Sequence, residues 1–310
     1  MPQFYLIPKR LARKAPFLVA IAQAVEAAGF RFVFWLIQLL SIENARRVSA
    51  FAFGLLGHYS DKAKKAKTNL AIAFPDSTEE WREQTTRGIF RSLGESAAEL
   101  IKLEQIWAER DERIDFVMHP DAEALMKAKK PAIFVTAHVG PWQVAPLITK
   151  YYDLTINTIY APESNSVVAE LMHALRQFLG ERLVSTDAGL RPLIKELKAG
   201  NSINMAMDTR LDSGKLVPFF GREALTSTSA AGLALRTGAA LVVARAERLP
   251  EGRYRITMYE PLTSRNPDAP QKDQVLDLTA QINGYFENWI REYPDQWICL
   301  KRRWPKAHKL

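Results

Sequence analysis

Apolar positions recur at helical spacing from about residue 15 to 107, with polar residues between them. The run "TNLAIAFP" stops at Pro75, and "DSTEEWREQTTRGIFRSLGESAAELIKL" follows with acids in its first turn and a cap expected at Asp76 or Ser77. Near residue 130 the period changes. "PAIFVTA", "LTINTIY", "SINMAM", "ALVVARA" and "YRITMYE" are short β-rich runs. Helical stretches separate them: "PWQVAPLITKYY", "VVAELMHALRQFLG", "GLRPLIKELKAG" and "TSAAGLALRTG", with Gly180, Gly200 and Gly238 where helix-ending glycines belong. This alternation predicts an α/β fold, a mixed and mainly parallel sheet covered by helices. A last amphipathic helix, "KDQVLDLTAQINGYFENWIREYP", should end at Pro294. No repeat or low-complexity linker divides the chain, so the expected organisation is a helical layer over residues 1–60 and one sheet domain over 61–310.

The N-terminal layer carries its own signal. Lys9, Arg10, Arg13 and Lys14 precede a long apolar stretch with no clean cleavage site, which argues against a signal peptide. Glu26 and Arg31 interrupt that stretch and leave uncharged runs of 11 residues on either side. A spanning helix needs roughly 18 to 20. An interfacial helix lying in a membrane surface fits the basic flank and the aromatic content; a hairpin packed on the main domain and a tilted single anchor are the alternatives.

Composition is that of an ordinary globular chain, but the net charge of +8 favours a polyanionic partner. Nucleic acid is disfavoured, because no basic–aromatic binding motif appears and the charge is spread along the chain. An anionic membrane surface or a phosphorylated substrate remains. The single cysteine, Cys299, allows no intrachain disulfide and no cysteine-rich zinc site, and it reads as a buried small hydrophobe. No phosphate loop, dinucleotide glycine pattern or zinc-ligand histidine pair occurs, so neither cofactor nor metal is expected.

The candidate chemistry lies in "FVTAHVGPWQVA", Phe134 to Ala145. "AIFVTA" reads as a buried strand and Pro141 as the first turn of a helix. That places His138 at the carboxyl end of a strand, where open α/β sheets build their sites. Gly140 would let the backbone approach a ligand closely, Trp142 would flank it, and the helix N-terminus would offer free N–H groups to an anion or oxyanion.

Further motifs follow in order. "FVTAHVGPWQ", then "KLVPFFGREALTSTSAAGLALRTGAALVVARAER", then "IREYPDQWICLKRRW", with "TNLAIAFPD" and "SLGESAAEL" upstream, resemble the lipid A biosynthesis acyltransferase family of lauroyl/myristoyl type, a lysophospholipid acyltransferase-like group. The resemblance covers residues from about 65 to 304. It implies a glycerolipid acyltransferase-like fold and transfer of a fatty acyl chain from an acyl carrier protein to a hydroxyl of a lipid A precursor. It also implies work at the cytoplasmic face of a bacterial inner membrane, on a peripheral or singly anchored protein. His138 would be the general base.

The family signature is His, four residues, then Asp or Glu, the carboxylate fixing the imidazole tautomer and stabilising the imidazolium. Here the fifth position is Gln143, which can accept a hydrogen bond but brings no charge. Three readings fit: Gln143 orients a slower base, a carboxylate comes from elsewhere in the fold, or the protein is a non-catalytic lipid-binding relative. Asp208, after "SINMAM", and Glu163, in "YAPES", are the candidate displaced acids, and each also reads as a cap or loop carboxylate. Asp208 ranks first, since the resembling family also carries an acid there.

Arg210, Lys215 and Arg222 bracket "LVPFFG" and would bind the phosphates of a glycolipid acceptor, unless they form only a solvated loop. Thr226, Ser227 and Thr228 could donate to a thioester oxyanion or cap the helix that follows. "KRRWPKAHK" could hold anionic headgroups, with Trp297 and Trp304 at interface depth. An acceptor other than a lipid A precursor, such as another lysolipid or an aminolipid, fits the same residues.

Overall fold

The computed structural model describes residues 16–160, 166–179, 182–185 and 189–305. Among the described residues four long helices come first, α1 (Pro16–Gln38), α2 (Ile42–Gly57), α3 (Asp61–Ala73) and α4 (Glu79–Ile101), followed by two short ones, Leu103–Ala108 and Arg110–Arg113. The α4 cap is Thr78, whose Oγ1 accepts the Trp81 N–H at 3.1 Å, one residue beyond the expected position. Ser77 is used otherwise, its hydroxyl donating to the Phe74 carbonyl and closing the turn before the helix. Glu79 and Glu80 then sit in the first turn, where the helix dipole favours them.

The sheet has seven strands in the order β1 (Ile114–Met118), β9 (Tyr254–Met258), β8 (Ala240–Arg248), β2 (Ala132–Thr136), β5 (Ser202–Ala206), β3 (Ile156–Tyr160) and β4 (Arg182–Ser185). All neighbours are parallel except β8 and β9. This is the mixed, mainly parallel α/β sheet that the sequence predicts. Covering helices are α5 (Pro120–Lys127), α6 (Ser166–Gln177), α7 (Arg191–Lys198), α8 (Ser229–Thr237) and α9 (Gln271–Glu292). Gly200 and Gly238 take positive φ after α7 and α8, as expected of helix-ending glycines. Gly180 lies outside the described residues.

Strands β1 and β4, absent from the sequence reading, are the two edges of the sheet. Each is short and only partly buried, so neither carries the apolar run that marks β2. The segment after Asp208 is a second surprise. It forms an antiparallel hairpin, β6 (Arg210–Phe219) and β7 (Arg222–Thr226), turned at Phe220 and Gly221, both at positive φ. A Phe-Gly pair is an unusual chemistry for such a turn, which favours Asn-Gly or Asp-Gly.

Strand β2 is buried along its whole length, and its two faces feed two cores. Ile133 and Val135 pack with Ile203, Met205, Leu241 and Val243 beneath α7, α8 and α9. Ala132 and Phe134 pack on the other side with Val242, Ala244, Ile256 and the segment Leu147–Tyr151. A buried ion cluster ties α4 to β8. The Arg248 guanidinium pairs with Glu99, which is fully buried, and donates to the Ser96 hydroxyl at 2.8 Å.

α2 lies tightly against α4. A Cβ on Gly94 would stand 2.3 Å from the Ser49 carbonyl oxygen, so the contact requires glycine there. Gly284, inside α9, has nothing within 4 Å of the same position. The same substitution should therefore have opposite signs in the two helices. In urea unfolding, Gly94→Ala is expected to lower stability by about 1–3 kcal/mol through overpacking. Gly284→Ala should raise it by up to about 1 kcal/mol through helix propensity. A Gly94→Ala protein as stable as the parent would contradict this packing.

Candidate active site

The site is built by strand register. β2 and β5 are parallel neighbours with Thr136 opposite Ala206, and the ladder continues through Met207 N–H to the Thr136 carbonyl. His138 and Asp208 each lie two residues past the end of their strand, so the sheet delivers both to one edge. Asp208 Oδ1 is 2.7 Å from His138 Nδ1 and also accepts the His138 backbone N–H at 3.0 Å. Its other oxygen, Oδ2, accepts the Trp297 indole N–H at 3.0 Å. The acid on Nδ1 is thus Asp208 and not Gln143. Glu163, the other displaced-acid candidate, lies outside the described residues.

Asp208 is 2% exposed. Burial pushes its carboxyl up, but the His138 charge and the hydrogen bonds from His138 and Trp297 outweigh burial and hold it below the usual carboxylate range. Burial alone would lower His138, yet the Asp208 charge and hydrogen bond raise the imidazole above its ordinary value; the Lys301 ammonium opposes them. With Nδ1 engaged, Nε2 is the ring nitrogen left without a protein partner among the described residues.

The turn carrying His138 is held from two sides. Ile298 N–H donates to the His138 carbonyl at 2.8 Å, and Val139 bridges to Trp297. Ser96 Oγ donates to the Gly140 carbonyl at 2.9 Å and itself accepts from Arg248, linking the turn to the buried ion cluster. Gly140 has φ +60°, and a Cβ there would stand 2.8 Å from Gln296 Oε1. The close approach at Gly140 is therefore to the chain's own C-terminal segment. No long helix starts at Pro141. Residues 142–146 form successive turns, with Val144 N–H bonded to Pro141 O and Leu147 N–H to Val144 O, and only Leu147–Tyr151 is helical. Pro146 has no N–H to donate, so a helical ladder cannot pass through it. The expected helix N-terminus beside His138 does not exist.

A cavity of about 440 Å³ opens at this edge and contains His138, Trp142, Gln143 and Asp208. Trp142 meets the His138 ring edge to face, 5.4 Å between centroids. Apolar lining comes from Pro146, Ile159, Leu179, Met205, Ile298 and Leu300, and basic lining from Arg176, Lys301 and Arg303. Arg210, Lys215 and Arg222 are not in that lining. They sit on the hairpin, where Arg210 pairs with Asp212 at 2.7 Å and Lys215 and Arg222 are exposed. Thr226 is buried outside the cavity, its hydroxyl donating to the Ala224 carbonyl and accepting from Arg303. Thr228 precedes α8 without capping it; Ser227 Oγ takes the Ser229 N–H instead.

Trp297 and Trp304 are also placed differently from expectation. Both are buried, at 1% and 4% exposure, in an aromatic cluster with Phe219 and Phe220. The indole N–H of Trp297 serves Asp208, a role that no local sequence signal discloses. Arg303 is buried with them, and only Lys301 of "KRRW" is exposed. Cys299 lines the cavity as a buried thiol that burial pushes far above its ordinary pKa, in keeping with a small hydrophobe. Among the described residues one group, His119, Asp121 and Glu260, has the spacing to hold a metal ion, and it lies outside the cavity lining.

The profile for bacterial lipid A biosynthesis acyltransferases matches residues 22–306. A lipid A biosynthesis lauroyltransferase of Escherichia coli is 25% identical over 250 residues, 78% of each chain. A lipid A biosynthesis acyltransferase of Haemophilus influenzae is 22% identical over 257 residues, covering 79% of this chain and 76% of its own. The crystal structure of a 1-acyl-sn-glycerophosphate acyltransferase from Thermotoga maritima aligns with 80% of this chain and 98% of its own, at 15% identity and a TM-score of 0.38. With the match running almost from end to end of the described residues, this chain belongs to the bacterial lipid A biosynthesis acyltransferase family and is an acyltransferase.

Proposed function

We propose that the protein moves a fatty acyl chain from the thioester of an acyl carrier protein to a hydroxyl of a lipid A precursor, with His138 as general base. The observation that carries this reading is the 2.7 Å contact between Asp208 Oδ1 and His138 Nδ1 at the edge of the cavity. A carboxylate on Nδ1 favours the tautomer with a proton there and a lone pair on Nε2. Nε2 takes the acceptor hydroxyl proton as the oxygen attacks the thioester carbonyl carbon. The tetrahedral intermediate then collapses, the C–S bond breaks, and the imidazolium returns its proton to the departing thiolate. Products are an ester and the free thiol of the carrier. Asp208 stabilises the imidazolium between the two proton transfers. Gln143, in the cavity wall, is free to contact substrate, and the apolar lining offers a path for the acyl chain. The carboxylate on His138 speaks against a silent lipid-binding relative, because that reading rested on the missing acid at position 143.

The acceptor is membrane-bound in this reading, and the N-terminal helices support docking at the cytoplasmic face of the inner membrane. α1 exposes Ile21, Val25, Phe32, Val33, Trp35 and Leu36, with Leu39 just past its end, and α2 exposes Val48, Phe51, Phe53, Leu55 and Leu56, with Tyr59 just past its end. On each helix these positions fall largely along one stripe. Among the described residues no helix is long and apolar enough to cross a membrane. The stripes fit an interfacial seat instead.

Three outcomes follow. With labelled acyl carrier protein and lipid A precursor, His138→Ala should abolish transfer, and Asp208→Asn should lower kcat by about two to four orders of magnitude. Gln143→Ala should stay within about tenfold of the parent in kcat. Equal losses for Asp208→Asn and Gln143→Ala would remove Asp208 from this role.

The pH profile supplies a second check. The base must be neutral, and the Asp208 charge raises its pKa above that of an ordinary imidazole, so kcat/KM should climb through an acid limb whose midpoint lies above the ordinary histidine value. Asp208→Asn removes the charge that raises it, so the residual activity should have its limb at lower pH. A limb that does not move would contradict the pairing.

For membrane docking, Phe51→Asp combined with Leu55→Asp should weaken co-sedimentation with anionic vesicles and leave the fold unchanged by circular dichroism. Unaltered co-sedimentation would contradict this seat.

A further inference from the structure

The charges of the cavity do not balance. Its described lining contains three basic side chains, Arg176, Lys301 and Arg303, and one carboxylate, Asp208, which is already held by His138 and Trp297. Arg303 is the unusual member. It is 1% exposed, makes no ion pair among the described residues, and keeps its guanidinium on neutral acceptors: Nη1 donates to the Leu225 carbonyl at 3.0 Å and Nη2 to Thr226 Oγ1 at 2.7 Å. Phe219 lies under it, 4.6 Å from the ring centroid. Its Nε is buried and has no partner among the described residues.

A buried cation without a counter-ion costs stability, and native proteins retain few of them. Burial lowers the Arg303 pKa to about 10, with the Asp208 charge opposing, so the group stays charged at neutral pH. The backbone is fixed as well: Arg303 N–H donates to the buried Asn69 Oδ1, and Asn69 Nδ2 holds the Cys299 and Lys301 carbonyls. α3 thus clamps the segment that presents both basic residues. Lys301 is exposed, makes no ion pair among the described residues, and lies close enough to oppose the charge on His138. Arg176, from α6, also has a buried Nη1 with no partner among the described residues. Two guanidiniums with unused donors and one free ammonium therefore border the space where the acceptor must sit.

We infer that Lys301 and Arg303, with Arg176, form a phosphate subsite of the cavity, so that a phosphate group of the substrate supplies the missing counter-charge. This rests on the transfer reading above and places phosphate recognition on the C-terminal segment, not on the hairpin cations Arg210, Lys215 and Arg222. Phosphate could come from the glycolipid acceptor or from the phosphopantetheine arm of the donor, and the two sources are separable.

The experiment measures KM and kcat, on the plateau of the pH profile, for parent, Lys301→Met, Arg303→Lys and Arg303→Met. Acceptors are a phosphorylated lipid A precursor and its dephosphorylated form; donors are acyl carrier protein thioester and an acyl pantetheine that lacks the phosphate. A charged hydrogen bond lost from the subsite should raise KM at least about tenfold for the phosphorylated substrate and leave the phosphate-free one unchanged. A rise confined to the phosphorylated acceptor assigns the site to the acceptor, and one confined to the carrier donor assigns it to the donor; both support the subsite. Equal effects with and without phosphate overturn it. Arg303→Met can disturb folding, so exposed Lys301→Met decides if that variant is insoluble. If the parent transfers to no acceptor, the transfer reading fails, and calorimetry with a phosphorylated glucosamine disaccharide still tests the subsite. Affinity lowered at least about tenfold by Lys301→Met supports it, and unchanged affinity overturns it.

Discussion

The hydrogen bond between Asp208 and His138 is the contact on which the proposed chemistry depends. It is made possible by two adjacent parallel strands in fixed register, since residues two past the end of β2 and two past the end of β5 meet at one edge. A shift of the ladder by one residue would turn the side chains of β5 to the opposite faces and separate the pair. Two buried cores on opposite faces of β2 resist such a shift. The His138–Asp208 geometry is thus secured by packing that extends well beyond the site itself.

The C-terminal segment performs a second job. Its 297–303 stretch bonds to the backbone of the His138 turn, gives an indole N–H to Asp208, and carries Lys301 and Arg303 into the cavity. Asn69, fully buried on α3, fixes that stretch through three hydrogen bonds. A helix near one end of the chain therefore positions charges contributed by the other. The Ser96–Arg248–Glu99 cluster braces the opposite side at Gly140. His138 is consequently held between two supports, the C-terminal segment on one side and the buried Ser96–Arg248–Glu99 cluster on the other.

Much of this was legible in the sequence, and the failures have physical causes. The apolar runs of β2, β3, β5, β8 and β9 and the period of the helices announce the α/β architecture because burial writes them directly. Edge strands β1 and β4 are short and half solvated, so they leave no such trace. His138 and Asp208 could each be placed at a strand end, but their contact depends on which strands are neighbours, and strand order is a property of the whole fold. The hairpin after Asp208 passed as a loop because Phe220–Gly221 is not a usual turn pair. Trp297 and Arg303 read as interfacial residues since tryptophan and arginine near a terminus are ordinarily amphipathic surface groups. Only the aromatic cluster around Phe219 reveals that both are buried.

The pairing of His138 with Asp208 can be read from the tautomeric state of the imidazole. The chain has five histidines, so ring-labelled ¹⁵N-histidine spectra can be assigned with His138→Ala as reference. Above the pKa of His138, Nδ1 should be protonated and Nε2 unprotonated, with a strongly downfield Nδ1 proton that is lost in Asp208→Asn. A His138 protonated on Nε2, or one indifferent to the Asp208 substitution, would contradict the pairing.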